Sequence, residues 1–127
     1  MAKATRATTP ITMDVELAED RSCALDDYTV NFVTIRQSHD LAPMLAVLPD
    51  GLCHCPHWGV ITTGRMTVTY PDREEVYEAG DAFYMTPGHT PAAEAGTEFV
   101  MFSPTDLLEE TEAAIQEGMQ EAAAQTL

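Results

Sequence analysis

The first sustained pattern along the chain runs from Ile11, where Ile11, Met13, Val15 and Leu17 alternate with Thr12, Asp14 and Glu16. A period of two predicts a half-buried strand, because successive side chains leave opposite faces of the backbone. Residues 1–10 are small and polar, end in Pro10, and are expected to form a flexible tail. Glu19–Asp27 is charged and small and predicts a loop. Tyr28–Arg36 (YTVNFVTIR) is rich in β-branched and aromatic residues, which suit a pleated surface, and predicts a strand. Leu41–Leu48 is apolar but carries Pro43. A proline cannot donate to a ladder, so an edge position or a bulge is expected there.

Beyond the Asp50-Gly51 turn, Val60–Thr62 and Met66–Tyr70 are β-rich runs joined by the hairpin-sized Thr63-Gly64-Arg65. Pro71-Asp72, Ala79-Gly80-Asp81 and Thr86-Pro87-Gly88-His89 mark further turns. They delimit short strands at Glu75–Tyr77, Ala82–Met85, Ala92–Glu94 and Glu98–Phe102. Many short strands between turn residues predict an all-β sandwich or barrel over residues 11–104. The period then changes. Ser103 reads as an N-cap, Pro104 as the first helical residue and Asp106 as an acidic first-turn residue. Leu107, Leu108, Thr111, Ile115, Met119 and Ala122 recur near 3.6 residues, so residues 105–127 form an acidic amphipathic helix. Its stripe is expected to cover the outer face of the barrel, or to offer a seam to a partner helix. Gly118 weakens this helix by roughly 1 kcal/mol relative to alanine.

The 127 residues suit one domain, and 45% hydrophobic content supports a core. No stretch approaches the ~18 apolar residues of a membrane span. The basic N-terminus lacks the apolar segment of a secretory signal, so a cytoplasmic location is expected. Net charge is −15, and no Lys or Arg follows Arg73. Such a field repels polyanions, which excludes nucleic acid and anionic membrane as partners and fits a solvated acidic surface. Three cysteines, Cys23, Cys53 and Cys55, are an odd count in a chain without a signal sequence. They point to reduced thiols free to pack or to bind metal, not to a disulfide framework.

With these residues in view, the chain resembles the cupin superfamily over about residues 28–102. The second cupin motif is visible as Gly80-Asp81-Ala82-Phe83-Tyr84-Met85-Thr86-Pro87-Gly88-His89, and Gly64 matches the closing glycine of the first. The segment Cys53-His54-Cys55-Pro56-His57-Trp58-Gly59 looks like that of a subgroup of small bacterial cupin-domain proteins. The resemblance implies a jelly-roll β-barrel with a pocket between two packed sheets, and a homodimer. It departs from the family where metal is usually bound: there is no His-x-His, His57 stands at the glutamate position, and Pro91 at that of the second-motif histidine.

In place of that set the chain offers Cys53, Cys55, His57 and His89. Thiolate and imidazole are good ligands for Zn²⁺ or Fe²⁺. Strand alternation puts Cys53, Cys55 and His57 on one face and His54 on the other. Residues four apart on a straight strand are ~13 Å apart, so Cys53 and His57 share an ion only if the chain bends, as Pro56 allows. Cys55 with His57 needs no such bend. The competing reading is two core cysteines beside a hydrogen-bonded histidine, with no metal. His54 is expected to be exposed, His39 to be a loop residue, and Trp58 to wall the pocket or join the core. No nucleophile elbow, phosphate loop or His-Glu-x-x-His is present. Three functions remain: a metal-dependent enzyme on a small molecule, a metal-free small-molecule binder or sensor, and a module whose acidic helix docks a partner.

Overall fold

The computed structural model describes residues 3–125, with side chains as far as residue 121. The tail and helix predicted to reach residues 1 and 127, and the stripe position Ala122, extend outside the described residues. Among the described residues, ten strands and two helices follow in the order β1 Ile11–Asp14, β2 Ala18–Leu25, β3 Tyr28–Ile35, β4 His39–Asp40, α1 Ala42–Leu45, β5 His57–Thr63, β6 Arg65–Tyr70, β7 Arg73–Glu78, β8 Ala82–Met85, β9 Thr90–Ala93, β10 Glu98–Pro104 and α2 Thr105–Gln125. They build a six-stranded sheet, β1-β2-β3-β10-β5-β8, and a four-stranded sheet, β4-β9-β6-β7. Every pairing is antiparallel.

Alternation decides what lies between the sheets. Val33, Ile35, Ile61, Phe83, Met85 and Phe99 point inward from the larger sheet and meet Met66, Val68 and Tyr70 from the smaller one. The residues between them point to the opposite face, where Tyr28, Trp58, Val60, Tyr84 and Phe102 are exposed. Trp58 therefore neither walls the pocket nor joins the core; it lies outside, stacked on Tyr84 at 4.8 Å.

Several local expectations change, and the first is β1: it ends at Asp14, and Ile11, Met13, Val15 and Leu17 are all exposed instead of half-buried. Residues 18–25 form a strand where a loop is predicted. The inward positions of β2 are Ala18, Asp20, Ser22 and Ala24, so the strand shows no hydrophobic alternation. Leu41–Leu48 holds a short helix instead of an edge strand: Pro43 sits in the first turn, where its missing N–H costs nothing, and Asp40 Oδ1 accepts the Ala42 N–H at 2.8 Å. Residues 5–9 form a turn on the outer sheet face, with Thr9 buried, Arg6 donating to Thr34 Oγ1 at 3.0 Å, and the Arg6 guanidinium over the Phe32 ring. The helix begins at Thr105, one residue after Pro104, which remains in β10.

The acidic helix α2 also lies elsewhere than expected. It crosses the end of the barrel, where Leu108, Ala114 and Ile115 pack on Leu45, Leu48, Cys53 and Cys55. Leu107 and Met119 fall off this face and are exposed. Gly118 is part of the contact: a Cβ there would lie 2.7 Å from Val47 Cβ. The glycine thus marks close approach, not merely weak helix propensity.

Candidate metal centre

Backbone pairing brings together residues that are far apart in the sequence. Cys53 forms an isolated bridge with His89: its N–H donates to the His89 carbonyl at 2.9 Å, and its own carbonyl accepts from Gly88 and His89 at 2.8 and 3.1 Å. The turn that presents His89 needs Gly88, whose φ of +95° suits a residue without Cβ. Tyr70 Oη steadies the same turn by accepting the Thr86 N–H at 3.0 Å. His57 opens β5, opposite Met85 of β8. Between Cys53 and His57 the chain bends at Cys55-Pro56. Cys53 Sγ consequently lies 3.8 Å from His57 Nε2, far less than the ~13 Å of a straight strand.

One ligand atom each from Cys53, His57 and His89 lies within 4.8 Å of the others. All three residues are buried, with His57 6% and His89 1% exposed. Burial, and then the neighbouring His89, hold the His57 imidazole down to about 3, from an ordinary 6.5. Burial also lowers His89, against the hydrogen bond to Thr86 that raises it. Desolvation pushes the Cys53 thiol up. At neutral pH the metal-free group is a thiol beside two neutral imidazoles, because a low-dielectric site disfavours every charged form.

The imidazoles are also oriented. His89 Nδ1–H donates to the Thr86 carbonyl at 2.6 Å, which leaves Nε2 with its lone pair free. His57 Nδ1 lies 2.6 Å from Ser103 Oγ, which can accept its proton and leave Nε2 free in the same way. A carbonyl or hydroxyl behind each ring is the usual support of a ligating histidine. The donor set therefore fits a metal ion: bond lengths of ~2.3 Å to sulfur and ~2.0 Å to nitrogen space tetrahedral donors about 3.5 Å apart, close to the observed sulfur–nitrogen distance.

The remaining candidates scatter. Cys55 lies outside the converging group. The bend turns it toward Leu45 and Leu48, where its thiol donates to the Pro56 carbonyl at 3.6 Å. Burial, reinforced by Cys53, Glu112 and Asp106, pushes it up to about 12. His54 is exposed, with Nε2 2.8 Å from Asp50 Oδ2. Three residues escape the sequence reading. Ser103 backs His57 instead of capping the helix. His39, expected in a loop, lies in β4 and lines the cavity. Glu112 of α2 reaches the same cavity from the opposite side. Acidic spacing along α2 gave no reason to single out Glu112.

That cavity, about 180 Å³, has the Cys53-His57-His89 group in its wall and is otherwise mainly apolar, with Ile35, Phe99, Met66, Met85 and Met101 facing it. Leu108 and Ile115 of α2 roof it. A second chamber of about 380 Å³ opens beside it, lined by Thr12, Asp20, Asn31, Glu109 and Glu112. There Asn31 Nδ2 donates to both Asp20 carboxylate oxygens at 3.0 Å. Burial raises the Asp20 carboxyl against that hydrogen bond. Burial, then Asp20 and Glu109, raise Glu112, which is otherwise exposed at the rim.

No protein-family model matches the chain, and no curated protein matches it. Solved structures do. A protein of unknown function from Rhizobium leguminosarum is 18% identical, with 81% of this chain and 95% of that one covered, at a TM-score of 0.60. An RmlC-like cupin from Shewanella frigidimarina is 15% identical over 80% of this chain and 88% of that one, at 0.54. The FeII form of HppE is 9% identical over 81% of this chain and 60% of that one, at 0.57. Identities this low speak for architecture alone, and with the two-sheet topology they establish that this chain has the cupin fold, closed at one end by a C-terminal helix.

Proposed function

We propose that this protein binds a divalent metal ion through Cys53, His57 and His89 and a small molecule in the adjoining cavity. The observation that carries this reading is the convergence of one thiol and two oriented imidazoles in the wall of a mainly apolar cavity. Cys55, which the sequence groups with them, is left out of the donor set. Imidazole suits zinc, iron and copper alike, and FeII HppE shares the fold. An ion held by three protein donors keeps a position for water or substrate, where it supplies Lewis acidity. Thr86 holds His89 in the required tautomer, Ser103 can support the same tautomer of His57, and Leu108 and Ile115 of α2 roof the site. Elemental analysis after expression in metal-replete medium tests this: about one ion per chain is expected in the wild type, and at least ~100-fold weaker retention in Cys53→Ser, beyond the usual effect of a supporting residue. A wild-type protein without stoichiometric metal overturns the reading.

The apolar walls favour a second reading, a metal-free binder of small molecules. In it the neutral thiol and imidazoles serve only as hydrogen-bonding groups. A metabolite that raises the melting temperature of chelator-treated wild type and of Cys53→Ser equally would select this alternative.

A further inference from the structure

We propose that the ion held at Cys53, His57 and His89 is copper, with the Met85 thioether as a weak fourth contact; this rests on the reading that the group binds an ion at all. The converging donors are one thiolate sulfur and two imidazole nitrogens, and among the described residues no carboxylate joins them. That set, completed by a long thioether contact, is the ligand pattern copper accepts in trigonal His₂Cys sites. Zinc with three protein donors fills its fourth position with water, where this wall offers a thioether instead, and 2-His iron(II) sites draw on a carboxylate. Glu112 lines the cavity without entering the group.

The surrounding wall is rich in sulfur. Met44, Met66, Met85 and Met101 all line this cavity. Met85 is the best placed, because it is paired across the sheet with His57 and points to the same inward face. Directly opposed residues hold their Cβ atoms about 5 Å apart, within reach of a flexible thioether. Copper(II) also stands highest in the affinity order of divalent first-row metals for a given site, so a pocket with few oxygen donors does little to favour its competitors. A dry wall and fixed imidazoles are, further, the features that set the potential of a redox-active ion.

The test uses the purified full chain, stripped with a chelator and handled without oxygen. Titration with copper(II) should give an intense visible thiolate-to-copper charge-transfer band that saturates at one equivalent and survives equimolar zinc(II). Cys53→Ser should abolish the band, and Cys55→Ser should leave it unchanged. The volume-conserving Met85→Leu should keep the band while shifting its position and the reduction potential. Tight uptake of zinc(II) or iron(II), with no such band from copper(II), overturns the copper assignment and leaves the metal site standing. A band that follows Cys55 instead of Cys53 overturns it too. If Met85→Leu changes neither position nor potential, Met85 is not a contact. Retention of no ion under any of these conditions removes both this inference and the reading beneath it.

Discussion

Beneath and beside α2 lie two chambers, one inside the barrel and one an open cleft, that share Leu108 and Glu112 and are otherwise unlike. The smaller, of about 180 Å³, has apolar walls and contains basic groups, His57 and His89. The larger, of about 380 Å³, has mixed walls, where Met13, Ala24 and Leu108 stand beside Thr12, Ser22 and Asn31, and contains acidic groups, Asp20 and Glu112. Poor solvation moves the first pair down and the second pair up. The physical cause is single: burial penalises the charged form of whatever group is placed there. The first chamber can relieve that penalty by binding a cation, which the neutral imidazoles accept directly and the Cys53 thiol accepts on losing its proton.

The sharpest way to break this contrast is pH. In metal-free protein His57 stays neutral down to about 3, whereas an unfolded histidine protonates near 6.5. Below 6.5 the unfolded state therefore binds more protons, and stability falls with pH across that window. The slope reaches up to about 1.4 kcal/mol per pH unit for one such imidazole. Asp20 has the opposite sign: its raised carboxyl holds a proton that the unfolded chain releases, so its strain is relieved as pH falls. Urea denaturation of metal-free protein between pH 7.5 and 4.5 should show the histidine slope, reduced in His57→Gln, where the lowered His89 still contributes. A flat wild-type profile would mean that His57 is solvated.

A smaller effect is expected at Ser103. Removing the hydroxyl behind His57 in Ser103→Ala should lower metal affinity 10–100-fold, as loss of a supporting partner does. An unchanged affinity by competition with a chelating dye would show that the ring is oriented by packing alone. Next in size is Gly118→Ala. Alanine gains about 1 kcal/mol of helix propensity, but its Cβ would press on Val47 Cβ at 2.7 Å. Overpacking costs typically 1–3 kcal/mol, so a net loss of roughly 1 kcal/mol is expected by thermal denaturation. A gain would place the helix farther from Val47. The smallest change is predicted for Asp20→Asn, which keeps an acceptor for Asn31 and removes a poorly solvated charge. It should stabilise the protein at pH 7 by under ~1 kcal/mol without touching metal affinity. A loss of metal in this variant would join the two chambers into one site.

The same contrast explains what the sequence made legible. Strands lining the apolar interior announce themselves: β6 and β8 carry Met, Val, Tyr and Phe at alternate positions and their turns hold Gly and Pro, while β3 is marked by its β-branched and aromatic run. Strand β2 lines the larger chamber, so Asp20 and Ser22 occupy its inward positions, and no hydrophobic period survives to mark it. The metal candidates were legible by type, because Cys and His in one short segment are few and chemically distinctive. Their partition was not, because a bend at Pro56 that carries Cys53 toward His57 also swings Cys55 away. Ser103 was misread for a related reason: Ser-Pro before a helical run fits an N-cap, but β10 continues through Pro104 and keeps Ser103 on its inward face.

The bridge between Cys53 and His89 has one more consequence. Three backbone hydrogen bonds fix the spacing of these two donors whether or not an ion is present. The entropy lost in ordering them is therefore charged to folding and not to metal capture. A chelator should extract the ion from an intact molecule, and reloading should be limited by diffusion through the cavity mouth, unlike zinc fingers, whose chains collapse once the ion leaves.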